Sequence, residues 1–141
     1  MMVTEKRFEY KGFPCVVLFM PGGYRCGYVG ISKGNPWYKS KRDTEKISCH
    51  GGITYQDSCL HGQEYENVWW IGFDCGHCFD GADAEKAKEL YKDDKNVLKQ
   101  IEIMDQIGWF EILKEFPVRS LEYCEGQCKG IVDQILGGKN D

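Results

Sequence analysis

Long apolar runs are missing from this chain of 141 residues: nothing in it nears the roughly 20 apolar residues that a membrane span requires. The opening segment Met1 to Tyr10 is charged and lacks the form of a secretion signal. Proline occurs only four times, with no proline-rich or low-complexity tract, internal repeat or interdomain linker. No G-x-x-x-x-G-K-S/T or G-x-G-x-x-G segment is present, so the two commonest phosphate-cradling loops are absent. Histidine is scarce as well, with three residues, all between Cys49 and Asp80. These absences point to a water-soluble protein made in the cytoplasm and leave its chemistry to a short stretch of sequence.

What is present is glycine, with 17 residues, and cysteine, with eight. A chain of this length buries about two thirds of its unfolded surface without metal or disulfide staples, so the cysteines are expected to be free, mostly buried thiols with no bound metal or cofactor. The formal net charge of −4 argues against binding long nucleic acid. The charge is uneven. Between Tyr24 and Lys46 stand six bases, Arg25, Lys33, Lys39, Lys41, Arg42 and Lys46, against Asp43 and Glu45, a local surplus that could neutralise a small phosphorylated ligand.

The expected architecture is one α+β domain over residues 1–141, strand-rich in 1–80 and helix-rich in 81–141. Arg7 to Tyr10, Phe13 to Phe19 and Tyr24 to Ile31 read as strands, separated by Lys11-Gly12 and Pro21-Gly22-Gly23 turns. Ile53 to Tyr55 reads as a short strand and Val68 to Asp74 as a central one, because VWWIGFD is an unbroken apolar run. Asp80 or Asp83 suits the N-cap of a helix over Ala84 to Tyr91. Asp93 or Asp94 suits a second, with Val97, Ile101, Met104 and Ile107 on its apolar face and Gly108 at its end. Ser120 caps a third, whose stripe is Leu121, Cys124, Cys128, Ile131, Ile135 and Leu136. The result is an antiparallel sheet of four or five strands with two or three helices packed on one face.

Several chemistries draw on the Cys49 to Asp80 window. The Cys75-Gly-His77-Cys78 motif has zinc-like and thioredoxin-like elements, but its spacing to other ligands is poor, and Asp74 and Asp80 oppose a thiolate there. His50, Asp74, His77 and Asp80 could form a catalytic centre of hydrolytic type, or else cap loops and satisfy backbone groups. A binding site without catalysis would draw on Arg25, Trp37, His50, Tyr55 and Trp70, with the aromatic rings stacking on bases. Trp69 and Trp70 point to opposite faces of one strand, with Trp69 expected in the core and Trp70 at a pocket.

GYRCGYVGI (Gly23 to Ile31), CHGGITY (Cys49 to Tyr55), WWIGFDCGH (Trp69 to His77) and PVRSLEYCEGQCKGIVDQI (Pro117 to Ile135) together resemble a family of small proteins of bacteriophages, prophages and their bacterial hosts. That family is marked by H-G-G-x-T-Y and W-x-G-F-D-C-x-H blocks, and in it alanine can replace the residue at Cys78. The resemblance implies residence in the cytoplasm of a bacterial host and a role against host defence. The expectation is a non-enzymatic protein that sequesters a phosphorylated nucleotide, such as a cyclic nucleotide or cyclic ADP-ribose-type immune signal. A hydrolase or phosphodiesterase degrading such a signal is the alternative, and direct inhibition of a host protein is a third reading. Self-association as a homo-oligomer stays open.

Overall fold

The computed structural model describes residues 2–40 and 44–137. Lys41, Arg42 and Asp43, part of the basic stretch, lie outside the described residues.

Among the described residues seven strands and four α-helices follow in chain order: β1 (Val3–Tyr10), β2 (Phe13–Phe19), β3 (Arg25–Ser32), β4 (Tyr55–Asp57), β5 (Cys59–Leu60), β6 (Gln63–Glu64), β7 (Val68–Asp74), α1 (Ala84–Leu90), α2 (Lys95–Gln106), α3 (Trp109–Leu113) and α4 (Leu121–Ile135). Five strands form one antiparallel sheet in the order β1-β2-β3-β7-β4, and β5 and β6 form a separate hairpin. The α+β class and the antiparallel sheet are as the sequence implied. None of the helices among the described residues is long and apolar enough to cross a membrane.

Both faces of the sheet are covered, which explains the continuous apolar runs of β2, β3 and β7. On one face Cys15, Val17, Val29, Ile31, Trp69, Ile71 and Phe73 pack against Cys124, Cys128, Ile131, Val132 and Ile135 of α4. The contact is close because Gly27 lies beneath it: a Cβ there would sit 2.4 Å from the Phe73 ring and 3.0 Å from Cys128 Sγ. On the other face Val16, Leu18, Cys26, Tyr28 and Trp70 are covered by Leu60 of the hairpin together with Tyr55 and Tyr65. The sequence reading placed Trp70 at a pocket. Instead it is 1% exposed, with the Tyr65 ring edge-on at 5.2 Å, so both tryptophans of the pair are scaffold.

α1 and α2 close over Phe19 at the end of β2, with Ala87, Tyr91, Val97 and Ile101. The Tyr91 hydroxyl donates to the Phe19 carbonyl at 2.5 Å and accepts from the Val3 amide at 3.0 Å, tying this layer to β1 and β2. Asp83 and Asp94 cap α1 and α2. Ile107 departs from expectation, since it lies past the end of α2 and is 71% exposed. Gly108, with φ of 82°, turns the chain into α3, a helix the periodicity did not reveal.

At α4 the Ser120 hydroxyl accepts from the Tyr123 amide at 3.1 Å. Ser120→Ala should therefore cost about 1 kcal/mol, and Ser120→Gly a few tenths. Thermal melts of the two variants check this; equal losses would show that the cap bond does not hold the helix start.

Candidate functional site

Three segments meet at the N-terminal end of α4: the Cys49-His50-Gly51-Gly52 loop, the chain from Asp74 to Gly81 that leaves β7, and the first turns of α4 itself. A stripe along α4 holds the first loop. Gln127 Oε1 accepts from the His50 amide at 2.8 Å, and Gln134 exchanges two hydrogen bonds of 2.8 Å with the backbone of Ser48.

Asp80 is the hub. It is 3% exposed, and its carboxylate meets three donors. Oδ2 accepts from the His77 amide at 3.0 Å and pairs with His50 Nε2 at 2.9 Å, while Oδ1 accepts from Arg119 Nε at 2.9 Å. Burial raises the pKa of Asp80, but the bonds from His50, Arg119 and the His77 amide outweigh it and hold the carboxyl below its ordinary value. With Asp80 ionised, His50 must carry its proton on Nε2. The other ring nitrogen, Nδ1, is 2.9 Å from the Tyr123 hydroxyl, so neither nitrogen is left for a substrate. Arg119 lies 5.4 Å over the Tyr123 ring and closes the chain Arg119–Asp80–His50–Tyr123.

A second pair stands beside it. Asp74 Oδ1 accepts from the Gly76 amide at 3.0 Å and lies 3.4 Å from His77 Nδ1, and its Oδ2 accepts from the Thr54 hydroxyl at 3.2 Å. The His50 and His77 rings are nearly parallel, at 9°, with centroids 6.4 Å apart. His77 Nε2 is buried without a partner among the described residues and faces Gly51. A Cβ on Gly51 would come within 2.4 Å of it, and Gly51 has a φ of 68°, so spacing and backbone both require glycine there.

The loop from Gly76 to Gly81 forms one wall of a cleft of about 640 Å³, whose other wall is Met104, Trp109, Leu113 and Phe116. Tyr24 also lines it, and Phe79, held at a φ of 73°, meets Phe116 edge-on at 5.6 Å. The lining is mostly aromatic or aliphatic, with His77 and Asp80 as its ionisable side chains apart from Tyr24 and Cys78. Among the described residues no lysine or arginine lines it.

The structure thus brings together His50, Asp74, His77 and Asp80, the four residues of the hydrolytic alternative. It does not bring together Arg25, Trp37, His50, Tyr55 and Trp70. Arg25 is 8% exposed and forms a two-bond ion pair with Glu5, at 2.6 and 3.0 Å, while its Nη1 donates to the Arg119 carbonyl at 2.8 Å. It buttresses the site from behind and offers nothing to solvent. Trp37 packs against the α4 face of the sheet. Tyr55 and Trp70 belong to the opposite face, where the Tyr55 ring meets Tyr28 edge-on at 5.3 Å and its hydroxyl donates to the Cys59 carbonyl. One pocket made from these five would have to pass through the sheet.

The cysteines of the C-x-x-C motif part company: Cys75 is buried against Cys124, and Cys78 is exposed. Among the described residues no group of three or more His, Cys, Asp or Glu side chains is arranged to hold a metal ion. Sequence reasoning missed Arg119, Tyr123, Gln127, Trp109 and Phe116. For Tyr123 and Gln127 a signal existed, since they lie four residues apart along one edge of α4 beside its apolar stripe, while Arg119 stands just before the Ser120 cap of that helix. No family model, curated protein or solved structure matches this chain.

Proposed function

We propose that this protein captures a small ring-bearing ligand in the aromatic cleft and holds it unchanged, the ligand class being a phosphorylated nucleotide of the signalling kind. The cleft is the observation that carries the reading. At about 640 Å³ it has the size and the largely apolar lining of a small-molecule site, and Tyr24, Trp109 and Phe116 offer faces and edges on which a base can stack. Arg119 donates to Asp80 through Nε, and its two Nη groups have no protein acceptor among the described residues. It is bonded to a lining residue, which makes it the candidate among the described residues for a phosphate contact. In the phage setting that the sequence blocks imply, such capture would withdraw an immune signal from its receptor.

Capture is favoured over hydrolysis because the acid and base candidates are already committed. His50 has both nitrogens engaged, and His77 Nε2 is closed off beneath Gly51. A general base has to reach the proton that it takes. Direct binding of a protein is the second reading, supported by Ile103, Ile107 and Ile112, which stand exposed on α2, beyond its end and on α3.

A melting screen tests capture. A nucleotide at a hundred times its dissociation constant should stabilise the fold by about 2.7 kcal/mol, roughly 8 °C. The set should contain cyclic di- and trinucleotides, cyclic ADP-ribose isomers, ADP-ribose, mononucleotides and the matching nucleosides. Trp109→Ala should keep the fold and weaken binding by about 1 to 3 kcal/mol. A screen without any shift would remove the basis of this reading and leave the protein partner.

A further inference from the structure

We infer that Cys75 and Cys124 form a redox site, a thiol pair poised for reversible oxidation to a disulfide that joins the end of β7 to the first turn of α4. The two sulfurs are 3.8 Å apart and both residues are buried. Forming the bond, of about 2.05 Å, needs less than 2 Å of approach, which side-chain rotation can supply. The backbone is held on both sides, since the Cys75 amide donates to the Arg25 carbonyl at 2.9 Å and the Cys124 amide to the Ser120 carbonyl at 3.1 Å.

The surroundings make the pair unequal. The hydrogen bond with Cys75 lowers the pKa of Cys124; burial opposes this, and the nearby Arg25 guanidinium favours the thiolate further. Cys75 is pushed upward by the same hydrogen bond and by burial. Either sulfur can donate in this pair, and the Arg25 guanidinium favours Cys124 as the thiol that reacts first, with Cys75 resolving. The second thiol pair in the core, Cys15 and Cys128, has no such help: Cys128 is held well above its ordinary value by Cys15 and by burial, and its Sγ points at the Tyr28 carbonyl at 3.9 Å.

With hydrogen peroxide as oxidant, the Cys124 thiolate attacks one oxygen, an S–O bond forms, the O–O bond breaks and hydroxide leaves to be protonated to water. The Cys75 sulfur then attacks the sulfenic sulfur, the S–S bond forms, and the S–O bond breaks to release a second water. Two thiols and one peroxide thus give one disulfide and two waters. The oxidant reaches the pair through local opening of the Gly76–His77 segment, which adjoins the cleft, so the reaction should be slower than oxidation of exposed Cys78. The product would lock the cleft wall to α4. None of this depends on what the cleft binds.

The test treats fully reduced protein with hydrogen peroxide, traps remaining thiols with a maleimide after denaturation, and assigns links by fragment-ion sequencing without reduction. Expected are a Cys75–Cys124 link, five alkylated cysteines of the seven that remain in Cys78→Ser, reversal by dithiothreitol, and a melting temperature raised by roughly 10 °C. Cys78→Ser should leave link and shift intact, and Cys75→Ala should abolish both. A Cys75–Cys78 or Cys15–Cys128 link in its place, or Cys75 and Cys124 both alkylated after oxidation has consumed Cys78, would overturn the inference.

Discussion

Asp80→Ala is expected to lower stability by about 3 to 5 kcal/mol, a drop of roughly 10 to 15 °C in melting temperature, because it removes the one carboxylate on which His50, Arg119 and the His77 amide converge. The loss exceeds that of a surface ion pair because Asp80 is buried and His50 beside it nearly so, which leaves the imidazole without its partner in a largely water-free setting. The same group sets a pH dependence. Its folded-state pKa lies below that of the unfolded chain, so the unfolded chain takes up the proton first as pH falls. The contribution is complete above about pH 4 and fades as pH falls through the folded-state value. Asp80→Asn keeps the shape and removes this titration. Subtracting its stability curve from that of the parent protein between pH 2 and pH 7 should leave a difference that shrinks toward acid. A difference that does not vary with pH would mean that folding leaves the Asp80 pKa unshifted, and one that grows toward acid would mean that Asp80 is protonated in the folded protein.

Trp70→Ala is expected to cost about 3 to 5 kcal/mol as well, for a different reason. The indole fills the second core, beneath the hairpin, among Leu60, Tyr65 and Tyr28. Trp109→Ala provides the contrast. Trp109 is 43% exposed on a five-residue helix at the cleft, so its loss should move the melt by a few degrees at most and show its effect in ligand binding. Chemical unfolding of the three proteins separates scaffold from site. A Trp70→Ala protein as stable as its parent would mean that the hairpin does not cover the sheet, and a Trp109→Ala protein as damaged as Trp70→Ala would make the cleft wall part of the core.

The long elements were legible because each carries its own signal. β2 and β7 are unbroken apolar runs that begin and end at the same residues in sequence and structure, and α1, α2 and α4 carry aspartate or serine caps. The hairpin β5–β6 was not legible. Its strands have two residues each, and its turn is His61-Gly62, both at positive φ, where histidine replaces the usual asparagine or aspartate. Missing that hairpin is what misplaced Trp70, since without a cover the second face of the sheet reads as open to solvent.

At the site, the histidines and aspartates were identifiable because all three of the chain's histidines sit in one window. Their partners were not, because Tyr123 and Gln127 are 73 and 77 residues from His50 and meet it only when α4 docks. Arg25 shows the opposite failure. A basic residue in a basic stretch reads as a free cation, but Glu5 lies across from it once β1 joins the sheet, and the pair closes on itself. Local charge counts cannot register a partner that arrives through strand pairing.

The most direct measurement of capture is the state of the ligand after release. Protein incubated with a nucleotide that shifts its melt should be desalted and heat-denatured, and the supernatant analysed by mass spectrometry. Capture requires close to one equivalent of the nucleotide per chain, chemically unchanged after prolonged incubation and absent from Trp109→Ala carried through the same steps. Recovery of a cleaved product would contradict it, as would equal amounts of nucleotide from the parent and the Trp109→Ala protein.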